Sequence, residues 1–118
     1  MSRSKQKGTA WETAVVAYLR EALADERIER RTLSGSHDRG DVAGVTCWQQ
    51  RVVIEAKNCA RQEMAEWLRE AEAERANDDA LAGIVVSKRR GIGTTRMPEQ
   101  MVSMHLRDLV ALITGTRD

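Results

Sequence analysis

Two periodicities of apolar residues alternate along this chain and predict the order of its elements. Residues 9–26 and 59–77 carry apolar side chains at helical spacing, as Trp11, Val15 and Leu19 illustrate in the first segment. Short β-rich runs occupy residues 28–33, 41–48, 51–58, 80–90 and 101–106, and a last helical turn or two can follow at 107–113. The resulting order, α-β-β-β-α-β-β-α, predicts an α/β fold in which a mixed β-sheet is flanked by helices.

Length and composition indicate one domain without a membrane segment. The 118 residues suffice for a single core, and we expect a domain over 9–114 between flexible tails at 1–8 and 115–118, the first of them basic. Cys47 and Cys59 fit no disulfide framework or zinc spacing, and no signal peptide or long apolar run is visible, so a cytoplasmic protein is expected. Because 19 basic and 18 acidic residues leave a net charge of +1, a nucleic-acid partner would have to be held by a local basic patch.

The stretch RVVIEAKN, residues 51–58, ends an apolar strand with two opposite charges. Successive side chains of a strand alternate between its faces, so Glu55 and Lys57 share one face. If the preceding β-rich run pairs with this strand as a hairpin that turns near residues 48–50, Asp41 lies opposite the charged end. Two carboxylates and an ammonium group are therefore expected at one end of one hairpin.

The predicted carboxylate pair favours a divalent metal ion. Two carboxylates this close repel each other unless a positive charge lies between them, and Mg²⁺ prefers the oxygen ligands that Asp41 and Glu55 offer. Mn²⁺ is expected to substitute for it. Such an ion stabilises charge on a phosphate and lowers the pKa of a bound water, while Lys57 can orient that water or stabilise the phosphate oxygens. The strand end therefore predicts a metal-dependent site for phosphodiester hydrolysis.

The spacing of these residues resembles the active-site motif of the PD-(D/E)XK nuclease superfamily. Asp41 is followed, after thirteen residues, by Glu55-Ala56-Lys57, with a glycine in the place of the motif's proline. Glu12 matches the acidic residue that many members carry on an upstream helix. The stretches GTAWE, YLR, DRGDVAGV and VIEAKN are similar to those of small Holliday junction resolvases of the archaeal and phage type.

This resemblance implies a fold, an activity and a set of residue roles. It implies a restriction-endonuclease-like fold and a Mg²⁺-dependent, structure-selective DNA endonuclease that resolves four-way junctions in recombination and repair, acting as a homodimer. Asp41, Glu55, the carbonyl of Ala56 and Glu12 would hold the metal, and Lys57 would position the attacking water. A related nuclease that cuts flaps, single strands or duplex DNA is an alternative, as is a DNA-binding module on the same fold without catalysis.

Each acidic residue also has a simpler structural explanation. Glu12 follows Thr9 at the spacing of a capping box, in which its carboxylate would fold back onto a helix start. Asp41 could be a turn residue, and Asp38 competes for its role. Glu55 could belong to an exposed ion pair at a strand end, which is worth only about 0–1 kcal/mol.

A cluster of basic residues follows the fourth β-rich run and can supply the local patch. It flanks a Gly-x-Gly loop that lacks the third glycine and the following helix of a nucleotide-binding fingerprint, so we expect contacts with a DNA backbone and no nucleotide cofactor. A second group precedes the candidate aspartate, in a loop that could reach a phosphate. The predicted DNA contacts are Ser36, His37, Arg39, Lys88, Arg89, Arg90 and Arg96.

Overall fold

The secondary structure follows the predicted order of elements. The computed structural model describes residues 3–31 and 40–117. The helices are α1 (Arg3–Ala22), α2 (Met64–Asn77) and α3 (Leu106–Thr114), and the strands are β1 (Glu29–Arg30), β2 (Val42–Ala43), β3 (Thr46–Cys47), β4 (Gln50–Lys57), β5 (Ala82–Ser87) and β6 (Met101–Ser103). A 3₁₀ helix, Thr94–Glu99, precedes β6. The predicted α/β fold with a mixed sheet between helices is confirmed, and the second β-rich run is divided into β2 and β3.

The first helix begins earlier than the apolar pattern indicates. Helix α1 begins at Arg3, so residues 3–8 of the expected tail are helical and Thr9 lies inside the helix. The capping-box explanation of Glu12 is therefore wrong. The added turn is polar, so it carries no apolar period that could have predicted it. Within the described parts of the chain, no helix is both long and apolar enough to cross a membrane.

The sheet is ordered β1-β2-β4-β5-β6, and β3 extends the hairpin by pairing with the start of β4. Strands β4 and β5 are parallel, with α2 as the connection between them, and the other neighbouring pairs are antiparallel. On one face of the sheet, Trp11 of α1 packs with Val52 and Ile54 of β4. On the other, Trp67 of α2 packs with Val85 of β5. The β4 strand is therefore central, and a helix covers each of its faces.

The charged residues of β4 lie on the face that α2 covers. Glu55 pairs with Val85 in the parallel register, and neighbouring residues in a register share a face. Lys57 lies two residues further along the same face. The predicted alternation along β4 is confirmed.

The hairpin that leads into β4 has a two-residue turn and a bulge. Trp48 and Gln49 have φ values of 57° and 60°, as a type I′ turn requires at both central positions. Gly44, at φ 94°, is the extra residue of a β-bulge between β2 and β3. A Cβ atom at Gly44 would lie 2.7 Å from the carbonyl oxygen of Arg27, so both the space and the backbone conformation call for glycine.

This bulge decides which residue lies opposite Asp41. Extending the β3–β4 register without it would put Asp41 opposite Ala56. The extra residue shifts the pairing so that Val42 is the partner of Ile54, and the side chain of Asp41 then contacts that of Glu55.

Candidate active site

Asp41 is fixed at the end of the hairpin by hydrogen bonds to the backbone. Its N–H donates to the carbonyl oxygen of Ile54 at 2.9 Å, and its own carbonyl oxygen accepts from the N–H of Arg31 at 2.8 Å. Its carboxylate Oδ2 accepts from the N–H of Ala56 at 2.8 Å. The predicted position of Asp41 beside the charged end of β4 is confirmed.

Glu55 is a buried acid whose neighbours include other acids. It is only 5% exposed, so the explanation as an exposed ion pair is wrong. Burial, followed by a hydrogen bond and the charge of Glu74, raises the pKa of Glu55 to about 9, although Asp41 and Lys57 act in the opposite direction. Burial, followed by the hydrogen bond and charge of Glu55, raises the pKa of Asp41 to about 8. The pair therefore retains protons near neutral pH when no cation is bound.

Helix α2 adds two acidic residues that the motif did not predict. Carboxylate oxygens of Glu55, Glu70 and Glu74 lie within 4.8 Å of one another, and Glu74 is 4% exposed. Glu74 continues the buried stripe of α2 through Trp67 and Ala71, at a spacing that elsewhere holds apolar residues. An acidic residue on an apolar stripe was the signal in the sequence that could have identified it.

Lys57 is held by α2 rather than by its neighbour on the strand. Its Nζ donates a hydrogen bond to Oε2 of Glu70 at 2.9 Å. Burial alone would lower the pKa of Lys57, but the hydrogen bond that it donates to Glu70 and the charges of Glu55, Glu70 and Asp41 outweigh it and raise the pKa above its ordinary value. The ammonium group is therefore charged and lies beside the carboxylates, as predicted.

Glu12 approaches the same carboxylates from α1. Its Oε1 accepts a hydrogen bond from Nε of Arg30 in β1 at 2.7 Å. The negative charge of Glu12 contributes to the raised pKa of Asp41, so the two acids are near enough to interact. Glu12 thus lies at the margin of the site, where Arg30 compensates its charge.

The acidic residues fit a hard divalent cation. Among the described residues, Oε2 of Glu55 is buried without a hydrogen-bond partner, and a bound cation would satisfy it. The atoms that Glu55, Glu70 and Glu74 offer are all carboxylate oxygens, which suit Mg²⁺ or Mn²⁺ better than softer metals. Asp41 adds a further carboxylate from the hairpin side.

A basic cavity of about 740 Å³ lies beyond the carboxyl ends of β4 and β5. It is lined by Lys7 of α1 and by Lys88, Arg89 and Arg90, which follow β5. Its other described lining residues are uncharged, so no acidic group offsets these cations inside the cavity. The structure thus brings together three of the predicted basic residues and adds Lys7, which the sequence assigned to a tail.

The remaining predicted contacts are not part of this cavity. Arg96 is absent from the cavity's lining; its Nε and Nη2 donate to the two carboxylate oxygens of Glu99, at 2.7 and 2.6 Å. That ion pair reduces the charge that Arg96 can offer to a phosphate. Three further candidates and Asp38 lie outside the described residues, and their roles stay predictions. The three are Ser36, His37 and Arg39.

In comparisons with known proteins, the chain matches no family model, no curated protein and no solved structure. The class of protein is therefore argued from the fold and from the arrangement of its own side chains.

Proposed function

We propose that this protein is a metal-dependent DNA endonuclease of the PD-(D/E)XK type, and that its substrate is a branched, four-way DNA junction. One observation carries the proposal. The side chain of Asp41 lies against that of Glu55, both carboxyl groups are shielded from water, and Lys57 is on the same face of β4 as Glu55. A buried cluster of this kind is costly for a protein that only has to fold. Its retention is explained if the carboxylates bind a cation.

The order of elements supports the superfamily assignment. A helix, an antiparallel hairpin and a crossover helix lead to a strand parallel to β4, which agrees with the restriction-endonuclease-like fold that the motif implies. Asp41 immediately precedes β2, and Glu55 and Lys57 lie on β4, whose carboxyl end is also the end of the sheet with the basic cavity. Cations and carboxylates are thus adjacent, as a site needs in order to hold a polyanion and act on it.

In the proposed hydrolysis, some residues of the chain would hold the metal ion and others would orient the attacking water or the phosphate. Asp41 and Glu55 would hold the ion, with Glu74 and Glu70 adding carboxylates from α2. When bound, Mg²⁺ would supply positive charge to the scissile phosphate and lower the pKa of a water. Lys57 would donate its hydrogen bonds to the attacking water or to a phosphate oxygen, after exchanging the bond that it now makes to Glu70. The carbonyl of Ala56 and the side chain of Glu12 stay proposed as further ligands.

The basic cavity is proposed to hold the sugar–phosphate backbone next to the cleavage site. Its lysine and arginine side chains neutralise phosphates without reading bases, which suits recognition by shape. The net charge of the chain is only +1, so this local concentration of cations matters more than the overall field. Three parts of the proposal rest on the family resemblance: the four-way junction, the roles in recombination and repair, and the homodimer.

Cleavage of labelled DNA tests the proposal. Purified protein, with and without Mg²⁺, would be given an end-labelled immobile four-way junction and a linear duplex of the same arm sequence. We expect paired nicks in opposed strands of the junction, dependent on Mg²⁺ and abolished by Glu55→Gln. Glu66→Gln is the matched control, because Glu66 lies on the exposed side of α2.

Two other results would overturn parts of the proposal. Equal cutting of the duplex would support the nuclease activity but refute the junction as its preferred substrate. Binding of the junction without cutting, in Mg²⁺ and in Mn²⁺, would refute catalysis and favour the DNA-binding module.

A further inference from the structure

The basic cavity beyond β4 and β5 has an apolar part as well as its cations. Met64 and Trp67 of α2 and Met101 of β6 line it, together with the amide side chains of Asn58 and Gln62. Met101 is 49% exposed, and Met64 is only partly buried. A sugar–phosphate backbone that contacts the cations alone would leave this apolar surface in water, which is unfavourable. The lining therefore fits a ligand that carries more than phosphate.

The apolar part of the cavity adjoins the strand end that carries Lys57. In the sheet register, Lys57 pairs with Ser87, and Ser87 pairs with Met101. Register partners share a face of the sheet on strands about 4.8 Å apart, so the three residues form a row on the face that α2 covers. Ser87 and Met101 both line the cavity. A molecule bound in the cavity would thus lie beside the proposed cleavage site.

The loop that supplies the cations is held in place by hydrogen bonds. Oε1 of Gln100 accepts from the N–H of Arg89 at 2.8 Å, and Nε2 of Gln100 donates to the carbonyl oxygens of Ile92 and Gly93 at 3.1 Å each. The N–H of Lys88 donates to the carbonyl oxygen of the last residue of β4 at 3.0 Å. The wall is therefore formed before a ligand arrives, which lowers the cost of ordering it on binding.

The size and the chemistry of the cavity fit a nucleotide. Its volume of about 740 Å³ lies within the range of ~300–1,000 Å³ that is usual for small-molecule sites. A nucleotide carries an anionic phosphate, which suits the cations, and a flat base with a polar edge, which suits the apolar and amide side chains. Methionine side chains adapt to different shapes, and an amide offers both donors and an acceptor. The wall therefore selects no particular base.

We propose that this cavity binds one unpaired nucleotide of the DNA substrate, with its phosphate at the cations and its base against Met64 and Met101. The placement of that nucleotide beside the scissile phosphate rests on the proposed function. Taking a base out of a duplex costs unstacking and unpairing energy, and the cost is least where the base is already unpaired. The cavity therefore favours branched or single-stranded DNA over continuous duplex.

Binding of a mononucleotide to the full-length chain tests the cavity without any cleavage. Backbone and methionine-methyl NMR spectra would be recorded in EDTA with added deoxyadenosine monophosphate or deoxyribose phosphate. We expect both compounds to shift the signals of Arg90 and Gly91, and only the nucleotide to shift the methyl signals of Met64 and Met101. The nucleotide should bind about tenfold more tightly, because its base is buried. Equal affinities would overturn the proposal, as would methionine signals that the nucleotide leaves unchanged.

Two neighbouring residues of β6 offer a matched pair of variants. Met101 lines the cavity, whereas Val102 is similarly exposed, at 51%, but pairs with Val86 and is not part of the lining. Met101→Ala is expected to weaken nucleotide binding by about fivefold and to leave the affinity for deoxyribose phosphate unchanged. Val102→Ala should change neither affinity. Equal weakening of nucleotide binding by the two variants would overturn the proposal.

Cleavage of junctions that lack single bases locates the bound nucleotide in the DNA. In a series of junctions, each would carry one abasic nucleotide at a different position around the nick. We expect the single-turnover rate in Mg²⁺ to fall by about tenfold at one position next to the nick. Equal rates along the whole series would overturn the binding of a DNA base. Nucleotide binding in the cavity of a protein that binds junctions but cuts no DNA would support this site and refute the proposed catalysis.

Discussion

Replacing Glu55 with glutamine is expected to stabilise the metal-free protein at neutral and alkaline pH, although it removes a proposed catalytic residue. The pKa of Glu55 is raised from 4.5 in the unfolded chain to about 9 in the folded protein. The folded state therefore keeps a proton that the unfolded state releases. The stabilisation that this proton provides is complete below pH 4.5 and is lost progressively as the pH rises to about 9.

The size of the effect follows from the width of that interval. One pKa unit corresponds to about 1.4 kcal/mol, so at pH 7 the wild type should have lost on the order of 3 kcal/mol of unfolding free energy relative to pH 4.5. Glutamine has no proton to lose, and its amide can donate to the carboxylates of Asp41 and Glu74 at any pH. Asp41 contributes a slope of the same sign, because its pKa is raised to about 8, so some pH dependence should remain in the variant.

Urea unfolding in EDTA, followed by tryptophan fluorescence at several pH values between 4.5 and 9, measures how the unfolding free energy of the wild type and of Glu55→Gln depends on pH. Glu66→Gln controls for the loss of one negative charge from the surface. Added Mg²⁺ should then stabilise the wild type more than Glu55→Gln, since a ligand that binds only the folded state adds to its stability. A wild type whose stability does not fall with rising pH would refute the reasoning, as would a variant that is less stable than the wild type at the alkaline end.

Three further substitutions test the site and the hairpin that positions it. Lys57→Met should reduce single-turnover cleavage by about 10²-fold or more while junction affinity in a gel-shift assay stays similar; unchanged cleavage would remove Lys57 from the mechanism. Arg90→Ala should weaken DNA binding and reduce the slope of log K against log salt concentration by about 1, whereas an unchanged slope would mean that Arg90 contacts no phosphate. Gly44→Ala should lower the unfolding free energy by about 1–3 kcal/mol because of its positive φ and its contact with Arg27. Gly91→Ala shares the positive φ but meets no atom within 4 Å, so it should cost less; equal losses would show that the contact is unimportant.

The fold could be predicted as far as the apolar periods reach. They predicted a buried strand at 51–58, helices that flank the sheet, and a common face for Glu55 and Lys57, but not which helix covers that face. They could not predict the polar first turns of α1, because a helix without an apolar stripe resembles a tail in the sequence. The position of Asp41 was predicted by counting back from the turn, but the residue opposite it depends on the bulge at Gly44, which no two-residue period reveals.

The acidic residue on α2 that the motif did not predict breaks the local pattern of its helix. Glu74 occupies a position on α2 that the pattern reserves for apolar residues. This reversal destabilises an isolated chain, because it leaves a carboxyl group without its water. Residues that break the local rules of folding concentrate where a protein meets something else. We infer that a cation compensates this cost and relieves the carboxylates around Glu55.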